Sequence, residues 1–147
     1  MLTNILYAIV AIAVALMLYI RFVPANAEKW TSPDVALMPS GDTDGERSFI
    51  AVRRVESDDM LDRLTSVALA TPRTQLLSDG SGQWTTFVTR TRIMGYPDYT
   101  SARVYDLGGQ PHLQIYARAR FGKLDMGVNK ARVQDWLTRL DLLTPEG

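Results

Sequence analysis

The fold is decided by residues 112–121, HLQIYARARF, in which apolar and polar side chains alternate. Successive residues of a strand point to opposite faces. One face therefore carries a leucine, an isoleucine, two alanines and a phenylalanine, whereas the other carries a histidine, a glutamine, a tyrosine and two arginines. A strand with one apolar face predicts a sheet that packs against a hydrophobic core on that side.

Other β-rich runs surround this strand. Residues 99–107 (YTSARVYDL) precede it across the turn GGQP, and residues 74–78 and 83–94 flank the turn DGSG. Each pair predicts a β-hairpin. Residues 48–55 (SFIAVRRV) predict one more strand at the start of the domain.

Two stretches have the periodicity of helices. The first follows Ser57 and ends before Pro72, and the second follows Asn129; the serine and the asparagine both suit an N-cap. Their apolar stripes consist of Met60, Leu61, Leu64, Val67 and Ala68 in the first and Val133, Trp136, Leu137 and Leu140 in the second. The order β-α-β-β-β-β-α predicts an α+β domain over residues 48–147, an antiparallel sheet with both helices on one face. The other face is expected to have no helix over it.

The chain begins with an uncharged apolar run, residues 5–20. As a helix it spans about 24 Å, and Phe22 and Val23 lengthen it toward the ~30 Å of a bilayer core. We expect residues 1–23 to form a retained single-pass membrane anchor. A cleavable signal peptide is the alternative, because VPANA ends in a small-x-small pattern before Glu28. The start MLTN lacks the basic residue typical of a signal peptide.

Residues 24–47 contain three prolines and several acidic residues, which predicts an extended linker between anchor and domain. Trp30, Val35, Leu37 and Met38 are candidates to fasten it to the domain. Arg21 and Lys29 follow the apolar run, and this weakly favours a cytoplasmic domain by the positive-inside rule.

The composition excludes several classes of function. The chain has no cysteine, which rules out disulfides and thiol chemistry, and its single histidine, His112, rules out a multi-histidine metal centre. A net charge of zero argues against nucleic acid as the main partner. We expect no cofactor and no metal site.

Charge is nevertheless concentrated in residues 90–132, which hold eight basic residues against three acidic ones, a net charge of +5. Arg90 and Arg92 are expected to share one strand face, as are Arg118 and Arg120. Together with Arg132, these arginines are candidates for binding an anion such as a phosphate or a lipid head group. The alternative, which we favour, is a solvated strand face whose arginines form surface ion pairs.

Two stretches place arginines before a glycine and then an aspartate. The first contains Gly95 and Asp98, and the second contains Gly122, Asp125 and Gly127. An aspartate beside a glycine can accept backbone N–H groups and fix a turn. We therefore expect a structural role for these residues, with Asn129 capping the last helix.

The same stretches, TRTRIMGYPDYTSARV and IYARARFGKLDMGVNKARVQDWL, resemble the domain of unknown function 1499 family over roughly residues 48–140. The resemblance rests on residues of both stretches: Arg90, Gly95, Asp98, Arg118, Arg120, Gly122, Asp125, Gly127, Asn129 and Arg132. It implies a bacterial or plastid lineage and an anchor or signal before the domain. Many relatives carry cysteines near the domain start, which this chain lacks. The resemblance also implies an envelope setting, and we follow it in expecting a periplasmic domain.

These observations favour a membrane-anchored, non-enzymatic accessory or binding protein. Its expected partners are the lipid bilayer through residues 5–23, and either other membrane-protein subunits or anionic lipid. The alternative is a hydrolase or transferase that acts on an anionic substrate through Asp98 or Asp125 with arginine clamps. A lipid-binding cup between helices and sheet is a third hypothesis.

Overall fold

Six antiparallel strands form one sheet in the order β1-β2-β6-β5-β4-β3. The computed structural model describes residues 1–24, 27–57, 59–81, 83–122 and 125–142. The strands are β1 Gly41–Asp44, β2 Ser48–Arg54, β3 Thr74–Asp79, β4 Thr85–Arg90, β5 Pro97–Asp106 and β6 Pro111–Ala119, and the helices are α1 Leu2–Phe22, α2 Ala27–Trp30, α3 Met60–Ala70 and α4 Val128–Arg139.

The predicted α+β class is confirmed, with both domain helices, α3 and α4, on one face of the sheet. The structure adds the edge strand β1, which pairs with β2. Sequence reasoning placed GDTD in the linker because it has no apolar alternation. Its carboxylates are instead held by the domain: Asp42 accepts from Arg53 at 2.6 Å and Asp44 from Lys130 at 2.8 Å. Charged side chains are common on edge strands, where they discourage pairing with other chains.

The helix-covered face carries the core. Alternation along β6 brings Leu113, Ile115 and Ala117 under the helices, all fully buried. Trp136 of α4 meets Phe87 of β4 edge to face at 5.8 Å between ring centroids. Among the described residues, sixteen buried side chains pack together between the helices and the sheet and form the core.

Residues 27–40, here named the covering segment, lie over β5 and β6 on the opposite face of the sheet. The Trp30 ring stacks on Tyr99 with centroids 4.4 Å apart, and Gln114 Nε2 donates to the Ala36 carbonyl at 3.0 Å. Arg103 donates to the Val35 carbonyl at 2.7 Å. The expected attachment of this stretch to the domain is therefore observed, although the covering segment forms no strand with the sheet.

Helix α1 projects away from the domain, and Ile20 is its one buried residue. Its 21 residues span about 31 Å and are apolar enough to cross a membrane. Length and composition fit either a membrane anchor or a signal sequence. Arg90 holds the end of the helix, donating to the Ile20 carbonyl at 3.4 Å and the Val23 carbonyl at 3.1 Å.

Replacing Trp30 with alanine tests how the covering segment is held. Trp30→Ala is expected to lower the free energy of unfolding by about 2 kcal/mol, because the ring stacked on Tyr99 is removed. It should also accelerate proteolysis within residues 31–40. Urea unfolding and limited proteolysis measure the two effects. Trp30→Phe keeps a ring and serves as the control; equal proteolysis of all three proteins would contradict the expectation.

Candidate functional site

Two loops and the end of α1 meet at one end of the sheet, which we name the α1 end. Residues 91–96 join β4 to β5, and the described residues 120–122 and 125–127 lie between β6 and α4. Asp98 of β5 pairs with Ala119 of β6 in the register of the sheet, so the two loops that adjoin these residues are neighbours. The opposite end, where β2 and β5 finish, is named the far end.

Gly95 is the point at which α1 touches the first loop. Its φ of +71° favours glycine, and a Cβ built there would lie 3.1 Å from Cγ of Arg21. Arg90 also donates to the Gly95 carbonyl at 3.0 Å, and the Tyr96 N–H donates to Thr91 Oγ1 at 2.9 Å. Glycine is therefore favoured at this position for two reasons: the turn needs a positive φ, and α1 leaves little space for a side chain.

Asp125 organises the second loop. Its carboxylate accepts the N–H of Gly127 at 2.8 Å and the N–H of Asn129 at 3.3 Å. The helix begins at Val128 with Gly127 as N-cap at φ +77°. The predicted N-cap role of Asn129 is therefore wrong. The carboxylate of Asp125 accepts the free N–H groups at the start of α4, and Asn129 lies fully buried in the first turn of the helix.

A buried polar cluster lies behind this loop. Arg132 donates to Asp98 Oδ2 and to Asn129 Oδ1, both at 2.9 Å. The ion-paired side chains are less than a tenth exposed. Burial raises the pKa of the Asp98 carboxyl above its ordinary value, Arg132 opposes the rise, and the charge of Asp125 adds to it. Within the described ranges, Asn129 Nδ2 is buried without a hydrogen-bond partner.

A cavity of about 460 Å³ opens between these loops and α1. Asp98, Asp125 and Thr91 are its polar lining residues. Its remaining walls are mostly apolar and come from α1, the two loops and the adjoining ends of β6 and α4: Ile20, Tyr96, Ala119, Phe121, Met126 and Val128. The volume lies in the range of small-molecule sites. The arrangement can hold an apolar group and accept hydrogen bonds through carboxylates.

A second cavity of about 440 Å³ adjoins the end of α1 and also reaches Thr91. Three arginines line it, Arg21, Arg73 and Arg90, together with Phe22 and Val88. Arg90 is already engaged with three carbonyl groups.

Two other predicted binding arginines, Arg118 and Arg120, are occupied by hydrogen bonds within the protein. Arg118 donates to the Trp30 carbonyl and, at 3.2 Å, to Ser101 Oγ, and burial lowers its pKa. Arg120 donates to the Pro24 carbonyl at 3.0 Å and to the Tyr99 hydroxyl at 3.3 Å. At Arg118 and Arg120, the sheet face is therefore neither open to an anion nor a solvated surface of ion pairs. Its arginines hold backbone carbonyls of the chain that lies over it.

Arg92 does not share a strand face with Arg90, contrary to expectation. β4 ends at Arg90, and Arg92 lies exposed in the following turn. Arg92 is thus separated from the buried arginines.

Sequence reasoning missed Arg53, which is 1% exposed. It follows Phe49 and Ala51 on the core face of β2, where its Nε donates to the Leu142 carbonyl at 2.8 Å and its guanidinium pairs with Asp42. The sequence did contain a signal, because Arg53 occupies a position of SFIAVRRV where the alternation predicts an apolar, core-facing residue. A buried arginine at such a position needs hydrogen-bond partners inside the protein.

Removing the charge partner of Asp98 should be costly. Arg132→Met leaves the buried carboxylate unpaired, so we expect the free energy of unfolding to fall by about 3–5 kcal/mol at neutral pH. Urea unfolding measures the loss. Arg139→Met removes an exposed partner of Asp135 and is expected to cost far less; equal losses would contradict the buried pair.

The Asp98 carboxyl also predicts a pH dependence. Its pKa is raised in the folded state, so between the ordinary value of about 4 and the raised value the folded protein binds more protons than the unfolded one. Stability should therefore fall as the pH rises through that window. Asp98→Asn is expected to remove this fall, whereas exposed Asp141→Asn retains it. Parallel stability profiles of the wild-type protein and Asp98→Asn in urea unfolding would refute the assignment.

Comparison with known proteins identifies the family. The model of the family described as "Protein of unknown function (DUF1499)" matches residues 26–140. No curated protein and no solved structure matches the chain. The match confirms the resemblance carried by the two arginine–glycine–aspartate stretches. The chain belongs to the DUF1499 family.

Proposed function

We propose that this chain is a membrane-anchored, non-enzymatic binding module whose cavity at the α1 end takes a lipid-type amphiphile. One observation carries the proposal: Ile20, in the last turn of α1, is a wall of the cavity that Asp98 and Asp125 also line. When α1 crosses a bilayer, that cavity lies at the membrane surface, where amphiphiles are concentrated.

The lining of the cavity defines the ligand chemistry. Side chains such as Ile20, Phe121 and Val128 suit an acyl or other apolar chain. Two carboxyl groups accept hydrogen bonds, so the head of the ligand should carry hydroxyl or ammonium donors. Arg132 already offsets one of the two carboxylate charges. The site therefore suits a neutral or zwitterionic head group.

The alternative, an enzyme for anionic substrates, is less well supported. It requires arginines that are available to clamp an anion beside Asp98 or Asp125. Arg90, Arg118 and Arg120 donate to backbone carbonyls instead, and Arg132 donates to Asp98 itself. Asp125 caps α4. Arginines whose N–H groups are used in this way are poor candidates for clamping an anion, whereas a carboxylate keeps further lone pairs that can accept hydrogen bonds.

The proposal also includes location and partners. The exposed faces of α1 are available to lipid or to helices of other membrane subunits. We place the domain on the periplasmic side, following the family resemblance.

Lipid retention by cavity variants tests the proposal. Full-length wild-type protein, Ala119→Leu and Ala131→Leu are purified in mild detergent, and bound lipid is quantified by mass spectrometry. Ala119 lines the cavity, whereas Ala131 is an exposed residue of α4 that receives the same added atoms. Ala119→Leu is expected to retain about tenfold less lipid than the other two, equivalent to ~1.4 kcal/mol.

Thermal melting of the same samples verifies that the variants are folded. Equal lipid content in all three folded proteins, or lipid-free wild-type protein, would refute lipid binding in this cavity.

A further inference from the structure

Exposed charges are distributed unequally between the two ends of the sheet. In the described part of the chain, the α1 end exposes four arginines, Arg21, Arg47, Arg73 and Arg92, against Glu46 and the half-buried Asp125. Neighbouring Glu28 and Lys29, and the ion pair of Asp44 with Lys130, add no net charge there. The far end exposes mostly acidic residues, namely Glu56, Asp59, Asp62, Asp79, Asp106 and Asp141, against Arg54 and Arg63.

Exposed apolar side chains accompany the arginines. Outside α1, the two most exposed large apolar side chains of the described ranges are Met126 at 91% and Ile93 at 75%. They occupy the two loops of the α1 end. Single exposed apolar residues are ordinary, but two loop tips beside an apolar helix form a patch that requires an explanation.

The attachment of α1 orients this patch. The contact of Gly95 with Arg21 and the two bonds from Arg90 to the Ile20 and Val23 carbonyls join the helix directly to the domain. α1 leaves from the same end that carries Ile93 and Met126. A bilayer crossed by α1 would therefore face these residues and the four arginines.

We infer that the α1 end docks on the surface of an anionic phospholipid leaflet. Ile93 and Met126 enter the interfacial region, the exposed arginines lie among lipid phosphates, and the acidic far end points away from the membrane. Two observations favour an anionic leaflet as the binding partner. The exposed arginines complement its negative charge, and α1 leaves the domain from the same end. The inference rests on the proposed anchoring of α1 but not on a ligand in the cavity.

The absence of cysteine allows a clean test by site-directed spin labelling. Ile93→Cys reports the docking face, Leu107→Cys reports a partly exposed apolar residue of the far end, and Ile12→Cys reports α1. Each labelled full-length chain is placed in nanodiscs of phosphatidylcholine, with or without phosphatidylglycerol. Collision with oxygen marks a lipid environment, and collision with a water-soluble nickel chelate marks an aqueous one.

With phosphatidylglycerol, the label at residue 93 is expected to lose most of its nickel accessibility, at least threefold, while that at residue 107 stays aqueous. Adding Arg47→Glu and Arg92→Glu should restore the aqueous signal at residue 93. Arg54→Glu with Arg63→Glu makes the same charge change at the far end and should leave the signal unchanged.

Three outcomes would overturn the inference. A residue-93 label that stays aqueous in both lipid mixtures, with the residue-12 label in lipid, removes docking but leaves anchoring intact. A residue-93 label shielded from both reagents indicates a protein partner on this face. An aqueous residue-12 label removes the anchor, and with it both docking and the proposed function.

Discussion

The backbone carbonyl groups between Ile20 and Ala36 impose the constraint on which the rest of the structure depends. Residues 20–24 and 27–36 do not join the sheet, so their carbonyls have no strand partners and need other donors. Arginine side chains supply them: Arg90, Arg103, Arg118 and Arg120 each donate to at least one of these groups. Four of the five arginines in residues 90–120 meet this requirement.

One of these arginines, Arg90, also connects the end of α1 to the domain. Arg90 lies at the end of β4 and bonds simultaneously to the end of α1 and to the Gly95 turn. The position of the helix is thereby transmitted to the loop that borders the cavity. A helix joined only by a flexible tether would leave the orientation of the domain open, whereas these hydrogen bonds hold the end of α1 against one end of the sheet.

Periodicity predicted much of the fold because side chains carry that signal. Alternation in residues 112–121 and apolar stripes in the two domain helices were sufficient for the α+β class. Coverage of the second face was not predictable in the same way, because the covering segment is bound largely through backbone carbonyls, which leave no mark in a sequence. The site was predicted in part, because glycines marked the turns near Asp98 and Asp125. The sequence around Asn129 did not show that Asp125 would be the residue that accepts the N–H groups at the start of α4.

This distinction changes how the charge of the chain is interpreted. A net charge of +5 in residues 90–132 suggests a large anion-binding surface, yet Arg90, Arg118 and Arg120 of that stretch are bound to carbonyls inside the protein. The exposed arginines of the α1 end come largely from elsewhere in the chain. The family match begins at residue 26 and so includes the covering segment together with the arginines beneath it. The matched unit is therefore the sheet together with the covering segment that lies on it.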